Sequence, residues 1–343
     1  MTTPLNYRDA GTPFVQNDRR GGLVTYGVIS IVIGSIAGCF AALTPLALLT
    51  SRMTPTTGPA TPKPDARAVV VALILYTLIS ASFIWTGIAS CRRRRWVRPI
   101  ILSVAWPWLF IGILALFATL VLIPDLQATM RSQPGFPAGA AGIFTAIMIG
   151  FMTLLYIALP VAYLLFYQRP DVQLTLDAYD PTHGWTDRCP LPVFGLSINL
   201  ALLALYSLSQ LQVMVAPCFG VFLTGSAATM LLLAQAALLL IAAVLSFRLR
   251  IEGWWLALFV TMAINLSWIL SALLGDQSAM NARIASTYGG AKVDMARLSS
   301  HRLPMSALVT VSMAVCVTYI LKIRNRFIRE ATALQATELR STP

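Results

Sequence analysis

Eight runs of roughly 20 or more predominantly apolar residues dominate this chain, and their length leaves few folds open. A hydrocarbon core about 30 Å thick takes about 20 apolar residues per helical crossing. The runs are Gly22–Leu49, Ala68–Ser90, Pro99–Ile123, Ala138–Tyr167, Leu191–Val213, Cys218–Phe247, Trp254–Leu274 and Leu303–Ile323. One soluble core cannot absorb them all. Only 11% of the residues are charged, against roughly 25% in soluble domains, and the mean hydropathy is +0.74. The fold class is therefore all-α, a polytopic transmembrane helix bundle of about eight spans. The narrowest division falls at Ala216-Pro217, where a very short link is expected to join two helices. Residues 1–20 are polar, and the first apolar run exceeds a cleaved signal core of about 7–15 residues, so it reads as a retained span.

Orientation follows from the cations. With the N-terminus in the cytoplasm, 17 of the 25 Lys and Arg fall inside and 8 outside, as the positive-inside rule requires. Both termini are then cytoplasmic. The net charge of +12 is spread over several segments beside the spans. Attraction to anionic headgroups accounts for it, so membrane lipids are the expected partners and nucleic acid is not. The organisation reads as a tail (1–21), a first four-helix half (22–167), a cytoplasmic link (168–190), a second half (191–323) and a C-terminal stalk (324–343). Each half carries a basic turn followed by Trp: Arg95-Trp96 in the first, Arg250 and Trp254 in the second, about 158 positions on. Such spacing fits a direct four-plus-four repeat; it also fits the shared preference of Arg and Trp for the interface. Ser30, Gly34 and Gly38, and then Gly142, Ala146 and Gly150, form small-residue stripes of the kind that bring membrane helices together. Pro45, Pro107 and Pro160 are expected to kink their spans. Between Gly275 and Arg302, two short amphipathic segments broken at Gly289-Gly290 are expected.

Chemistry-bearing groups are few. No Asp, Glu, Lys, Arg or His lies in the middle of a predicted span, whereas proton relays and ion paths rely on such groups. The two histidines, His183 and His301, lie in loops on opposite sides, which disfavours haem ligation and a Ser–His protease. Ser226 lacks a base. No two of Cys39, Cys91, Cys189, Cys218 and Cys316 have metal or redox spacing, and no disulfide or cofactor is expected. Asn199, Gln210, Gln235, Asn265 and Ser267 are uncharged polar residues within spans. They are candidates for lining a pore, or for hydrogen bonds between helices.

The link 168–190 is the most distinctive stretch. Asp177, Asp180, His183 and Asp187 are candidate ligands for a divalent cation; the same residues also fit a solvated connector with turns at Asp180-Pro181 and Gly184. Trp185, Asp187, Arg188 and Cys189 are candidates for docking a protein partner at the cytoplasmic face, and Trp185 for anchoring at the headgroups. The element Trp-Thr-Asp-x-Cys-Pro-Leu-Pro at Trp185–Pro192 resembles one in a family of uncharacterised bacterial multi-pass membrane proteins. That family has no assigned activity. The resemblance implies a bacterial inner membrane and this topology, and no catalytic residues. Three functional readings follow, in order: a non-enzymatic binding or scaffold component, a facilitator or permease for a neutral or amphiphilic solute, and an enzyme at the cytoplasmic face.

Overall fold

A computed structural model describes residues 18–53, 66–131, 137, 139–181, 184–276, 278, 280 and 302–341. Along the chain run α1 (Arg20–Met53), α2 (Ala66–Cys91), α3 (Val97–Arg131), α4 (Ala140–Thr153), a π-turn (Leu154–Ala158), α5 (Leu159–Tyr167), α6 (Pro170–Tyr179) and a 3-10 turn (Trp185–Arg188). Then come α7 (Leu191–Ser209), a second 3-10 turn (Gln210–Gln212), β1 (Val215–Cys218), β2 (Val221–Thr224), α8 (Ser226–Phe247), α9 (Ile251–Leu274) and α10 (Arg302–Ser341). Among the described residues, eight helical segments are long and apolar enough to cross a membrane, with α4, the π-turn and α5 forming one of them. The surface is that of a chain solvated by lipid. Ile143, Phe151, Leu154, Met230 and Phe259 point outward, while Ser90, Ser246, Ser271, Ala228, Ala242 and Ala257 are buried. Lipid tails are as apolar as Leu, so the interior goes to residues that pack closely or hydrogen-bond.

Two main cores divide the bundle. One gathers Leu23, Val97, Tyr163, Tyr167, Val172 and Leu176 from the first four spans and α6. The other gathers Val193, Phe194, Leu239, Trp254, Ile320 and Phe327 from the last four, with Ile100 of α3. Trp96 packs against both. The two cores are headed by turns of the same geometry. In one, Arg93 adopts φ 56°, its N–H bonds the Ser90 carbonyl, and the Arg94 N–H bonds that of Ala89; in the other, Leu249 adopts φ 58° and the same bonds run from Leu249 to Ser246 and from Arg250 to Leu245. Both are Schellman closures, with a left-handed residue satisfying carbonyls that the helix end leaves open. The residues of the second turn follow those of the first by 156 positions.

Close approach holds the hairpins of helices together. A β-carbon at Gly27 would sit 2.8 Å from the Gly87 carbonyl oxygen, and one at Gly34 2.9 Å from that of Ser80. Ser30 instead shares a 2.7 Å hydrogen bond with the Tyr163 hydroxyl. The stripe on α4 behaves otherwise: Gly142, Ala146 and Gly150 face outward, and β-carbons at the two glycines would meet nothing within 4 Å. The close contact of that span lies one turn further on. Pro160 has no N–H for the carbonyl four residues back, and the helix widens into the π-turn just before it, where the Leu159 N–H reaches Leu154. The freed Tyr156 carbonyl lies against Gly112 of α3, where a β-carbon would overlap it.

The junction at Ala216-Pro217 differs from the expected very short link. It is an antiparallel β-hairpin in which Val215 pairs with Thr224 and Cys218 with Val221, so the sixth span begins at Ser226 and not at Cys218. Its two-residue turn, Phe219-Gly220, has positive φ at both positions, the conformation that matches strand twist in tight hairpins. Two serines one turn apart on α9 satisfy its backbone. Ser267 Oγ accepts from the Phe219 N–H and donates to the Pro217 carbonyl, while Ser271 Oγ accepts from the Gly220 N–H and donates to that of Val221. The amphipathic segments expected between Gly275 and Arg302 lie outside the described residues apart from isolated positions. Trp254, expected at the interface, is turned inward and donates from Nε1 to the Ile320 carbonyl at 2.7 Å.

Gly112→Ala is expected to lower stability by about 1–3 kcal/mol, the usual cost of forcing extra volume into a packed contact. Gly150→Ala is expected to be neutral or slightly stabilising, because the site is open and Ala suits a helix better. Thermal unfolding of both variants in detergent separates them, and equal losses would contradict the assigned contact.

Candidate functional site

At the arginine-rich face the link folds back onto the turn between α2 and α3. Pro170 opens α6, where a missing N–H costs nothing, and Asp171 occupies its first turn, where the helix dipole favours an anion. One side of α6 buries Val172 and Leu176 in the first core. The charged groups then meet in pairs. Asp171 lies 3.5 Å from Arg19. Arg95 Nε is 3.1 Å from Asp177 and 3.5 Å from Asp187. Asp180 accepts the Arg95 backbone N–H at 3.2 Å and lies 3.8 Å from Arg94. The guanidinium of Arg93 sits over the Tyr179 ring, 4.6 Å from its centre, a favourable cation–π placement.

The three aspartates proposed as metal ligands are thus gathered around arginine, and His183 lies outside the described residues. Among the described residues no group of three or more His, Cys, Asp or Glu is arranged to hold a metal ion. Of the docking candidates, Trp185 is 44% exposed and packs one edge against Phe194 and Phe247. Asp187 also accepts the Gly184 N–H at 2.9 Å. Arg188 ends the 3-10 turn. Cys189 is buried in the second core.

A cavity of about 650 Å³ lies between α3, α7 and α10, where the two halves meet. Arg98, Gln168 and Leu191 mark its end at the arginine-rich face, and Ile111, Ile113 and Leu203 lie deeper. Trp106, Ile111 and Ile113 line it and are also exposed on the outer surface, so its flank is open to the surrounding lipid. Among the described residues Arg98 is the one charged residue in the lining. Its Nε donates to the Tyr167 carbonyl at 2.9 Å. The carboxylate that acts on it, Asp177, is held by Arg95. Further in, Ser103, Gly195 and Tyr319 converge. A β-carbon at Gly195 would lie 3.3 Å from the Tyr319 hydroxyl and 3.6 Å from Ser103 Oγ. The Tyr319 hydroxyl donates to the Pro192 carbonyl at 2.7 Å, whereas Ser103 Oγ is buried with no partner among the described residues. The Ser103 carbonyl stands four residues before Pro107, which has no N–H to give it.

The pore candidates do not converge. Asn199 lines this cavity, but Gln210, Gln235 and Asn265 are not in its lining. Gln210 closes α7, with its carbonyl accepting from Val213 and Met214. Gln235 is half-buried on α8. The Asn265 amide donates to the Thr261 carbonyl of its own helix at 2.8 Å. Sequence reasoning missed Arg98, Ser103 and Tyr319. Arg98 reads as one more interfacial cation after four others, and no spacing marks the two hydroxyls.

Arg95→Gln is expected to loosen the link, because Asp177 and Asp187 lose a shared cation. Limited proteolysis between residues 168 and 190 should accelerate. Adding Asp177→Asn should recover part of the loss, with a coupling of about 1 kcal/mol or less, as half-exposed pairs give. No recovery would mean that the two side chains act independently. Compared with family models, with curated proteins and with solved structures, the chain matches none of them.

Proposed function

We propose that this chain is a non-enzymatic binding component of the bacterial inner membrane, and that the cavity between α3, α7 and α10 is its binding element. The observation that carries this reading is a mostly apolar space at the junction of the two halves, open on the lipid side and with its single charge at one end. Helix junctions of this kind are the usual place for a small-molecule site. The permease reading needs a continuous polar lining, and Gln210, Gln235 and Asn265 stand apart from Asn199. The enzyme reading needs available carboxylates, and Asp177, Asp180 and Asp187 are engaged with arginine. The arginine-rich face is the cytoplasmic one in this proposal, with both termini there, and the excess of cations on that side supports it. The two halves form a direct four-plus-four repeat, supported by the paired Schellman turns and the two cores. Trp185 is the group offered to a protein partner at this face, since it has a large apolar surface in the open.

Purification in mild detergent followed by mass spectrometry should retain one amphiphile per chain. Gly195→Leu, which places a side chain between Tyr319 and Ser103, should lose it, while Gln235→Leu combined with Asn265→Leu should keep it. Retention in the first and loss in the second would transfer the site to the pore candidates. A cytoplasm-active reporter joined after Pro343 should be active; an inactive reporter there would reverse the orientation.

A further inference from the structure

We infer that the cavity holds an anionic phospholipid from the arginine-rich leaflet, with its phosphate on Arg98 and one acyl chain along the groove. The inference rests on the binding role proposed above and names the ligand class. From Arg98 to Ile113, α3 advances about 22 Å at 1.5 Å per residue. One leaflet of hydrocarbon is about 15 Å deep, so the groove accommodates a lipid chain over its full depth. The lateral opening beside Trp106, Ile111 and Ile113 admits a molecule that already resides in the bilayer and need not leave it.

Charge sets the headgroup. Arg98 lies in the first turn of α3, at the end of the groove where all three helices reach the arginine-rich face. With Nε committed to Tyr167, the two terminal nitrogens present the planar pair that suits phosphate. Asp177 acts on Arg98 but is paired with Arg95, and among the described residues no salt bridge to Arg98 is formed. Arg326 follows Tyr319 on α10 by about two helical turns and adds a second exposed cation on that side. Among the described residues no Asp or Glu is in the lining. About 7.5 Å below Arg98 along α3, Ser103 brings a buried hydroxyl without a partner. The ester groups of a phospholipid lie just beneath its phosphate, so an ester carbonyl is the acceptor that this hydroxyl lacks. A buried polar group gains when it finds such a partner. Below it the lining is Phe110, Ile111, Ile113, Leu203 and Val315, suited to an acyl chain.

The test is native mass spectrometry of the full chain in detergent, titrated separately with dioleoyl-phosphatidylglycerol, dioleoyl-phosphatidylcholine and oleate. The expected result is a first, stoichiometric phosphatidylglycerol adduct, preferred over phosphatidylcholine by about fivefold or more, the factor that one headgroup-level cation provides. Arg98→Gln should weaken binding of both phospholipids, since each carries the phosphate, and of phosphatidylglycerol the more, so that the preference falls toward unity. Ser312→Phe and Gly195→Leu should each suppress the adduct of both phospholipids. Equal binding of the two phospholipids by the unaltered chain, abolished by the filling substitutions, would overturn the anionic assignment and leave the cavity as the binding element. No saturable adduct with any lipid would overturn the binding role itself. A preference that survives Arg98→Gln would place the charge recognition elsewhere and overturn the inference. Oleate binding more tightly than phosphatidylglycerol would overturn the phospholipid assignment in favour of a free fatty acid. Should both filled variants fail to fold, the charge comparison in Arg98→Gln still decides.

Discussion

Inside a bilayer no water is present to complete a hydrogen bond, and the π-turn and the hairpin show how that constraint is met. Pro160 deprives the Tyr156 carbonyl of its helical donor, and a π-turn with a glycine across the interface absorbs the defect. The hairpin between α7 and α8 would otherwise leave its turn unsatisfied, and Ser267 and Ser271 each give one acceptor and one donor to it. In the first core, Ser30 and Ser90 take up the hydroxyls of Tyr163 and Tyr167. Small hydroxyl side chains are thus the polar joints of the bundle, and they join parts far apart in sequence. Ser103, Ser246 and Thr261 depart from this pattern, since among the described residues their hydroxyls are buried without a partner; of the three, Ser103 lines the cavity.

Outside the hydrocarbon the constraint reverses, and charge takes over the fastening. The turn between α2 and α3 is a cluster of like charges that would repel one another if left alone. The link supplies Asp177, Asp180 and Asp187, and the apolar side of α6 keys the whole segment into the first core. Each pair is half-exposed and individually weak. Their combined effect is positional, holding Tyr167 and Arg98 in register at the mouth of the cavity.

The eight spans were legible because length and apolarity are properties of contiguous sequence. The hairpin was not. Val221-Phe222-Leu223 continues the apolar run into α8, and only the turn conformation at Phe219-Gly220 sets it apart. The short helix α6 was read as connector because its burial depends on a core built from other spans. The aspartates had the right chemistry for a cation, and the cation they meet is arginine from about 80 residues earlier in the chain. The stripe on α4 has the spacing of a packed interface, yet spacing alone does not name the neighbour. The cavity was invisible for a related reason, since its three walls come from opposite halves.

The placement of the link has a consequence for how the molecule comes into being. Asp187 is made just before the fifth span, and with it the first half holds every residue its own core and charge cluster require. Domains of a growing chain fold as units, the N-terminal one first. The first half can therefore be closed while the second is still being synthesised. The cavity cannot, because its third wall is α10. Its completion marks the arrival of the final span, and a chain stopped short of Ser312 would carry a finished first half beside a groove still missing one wall.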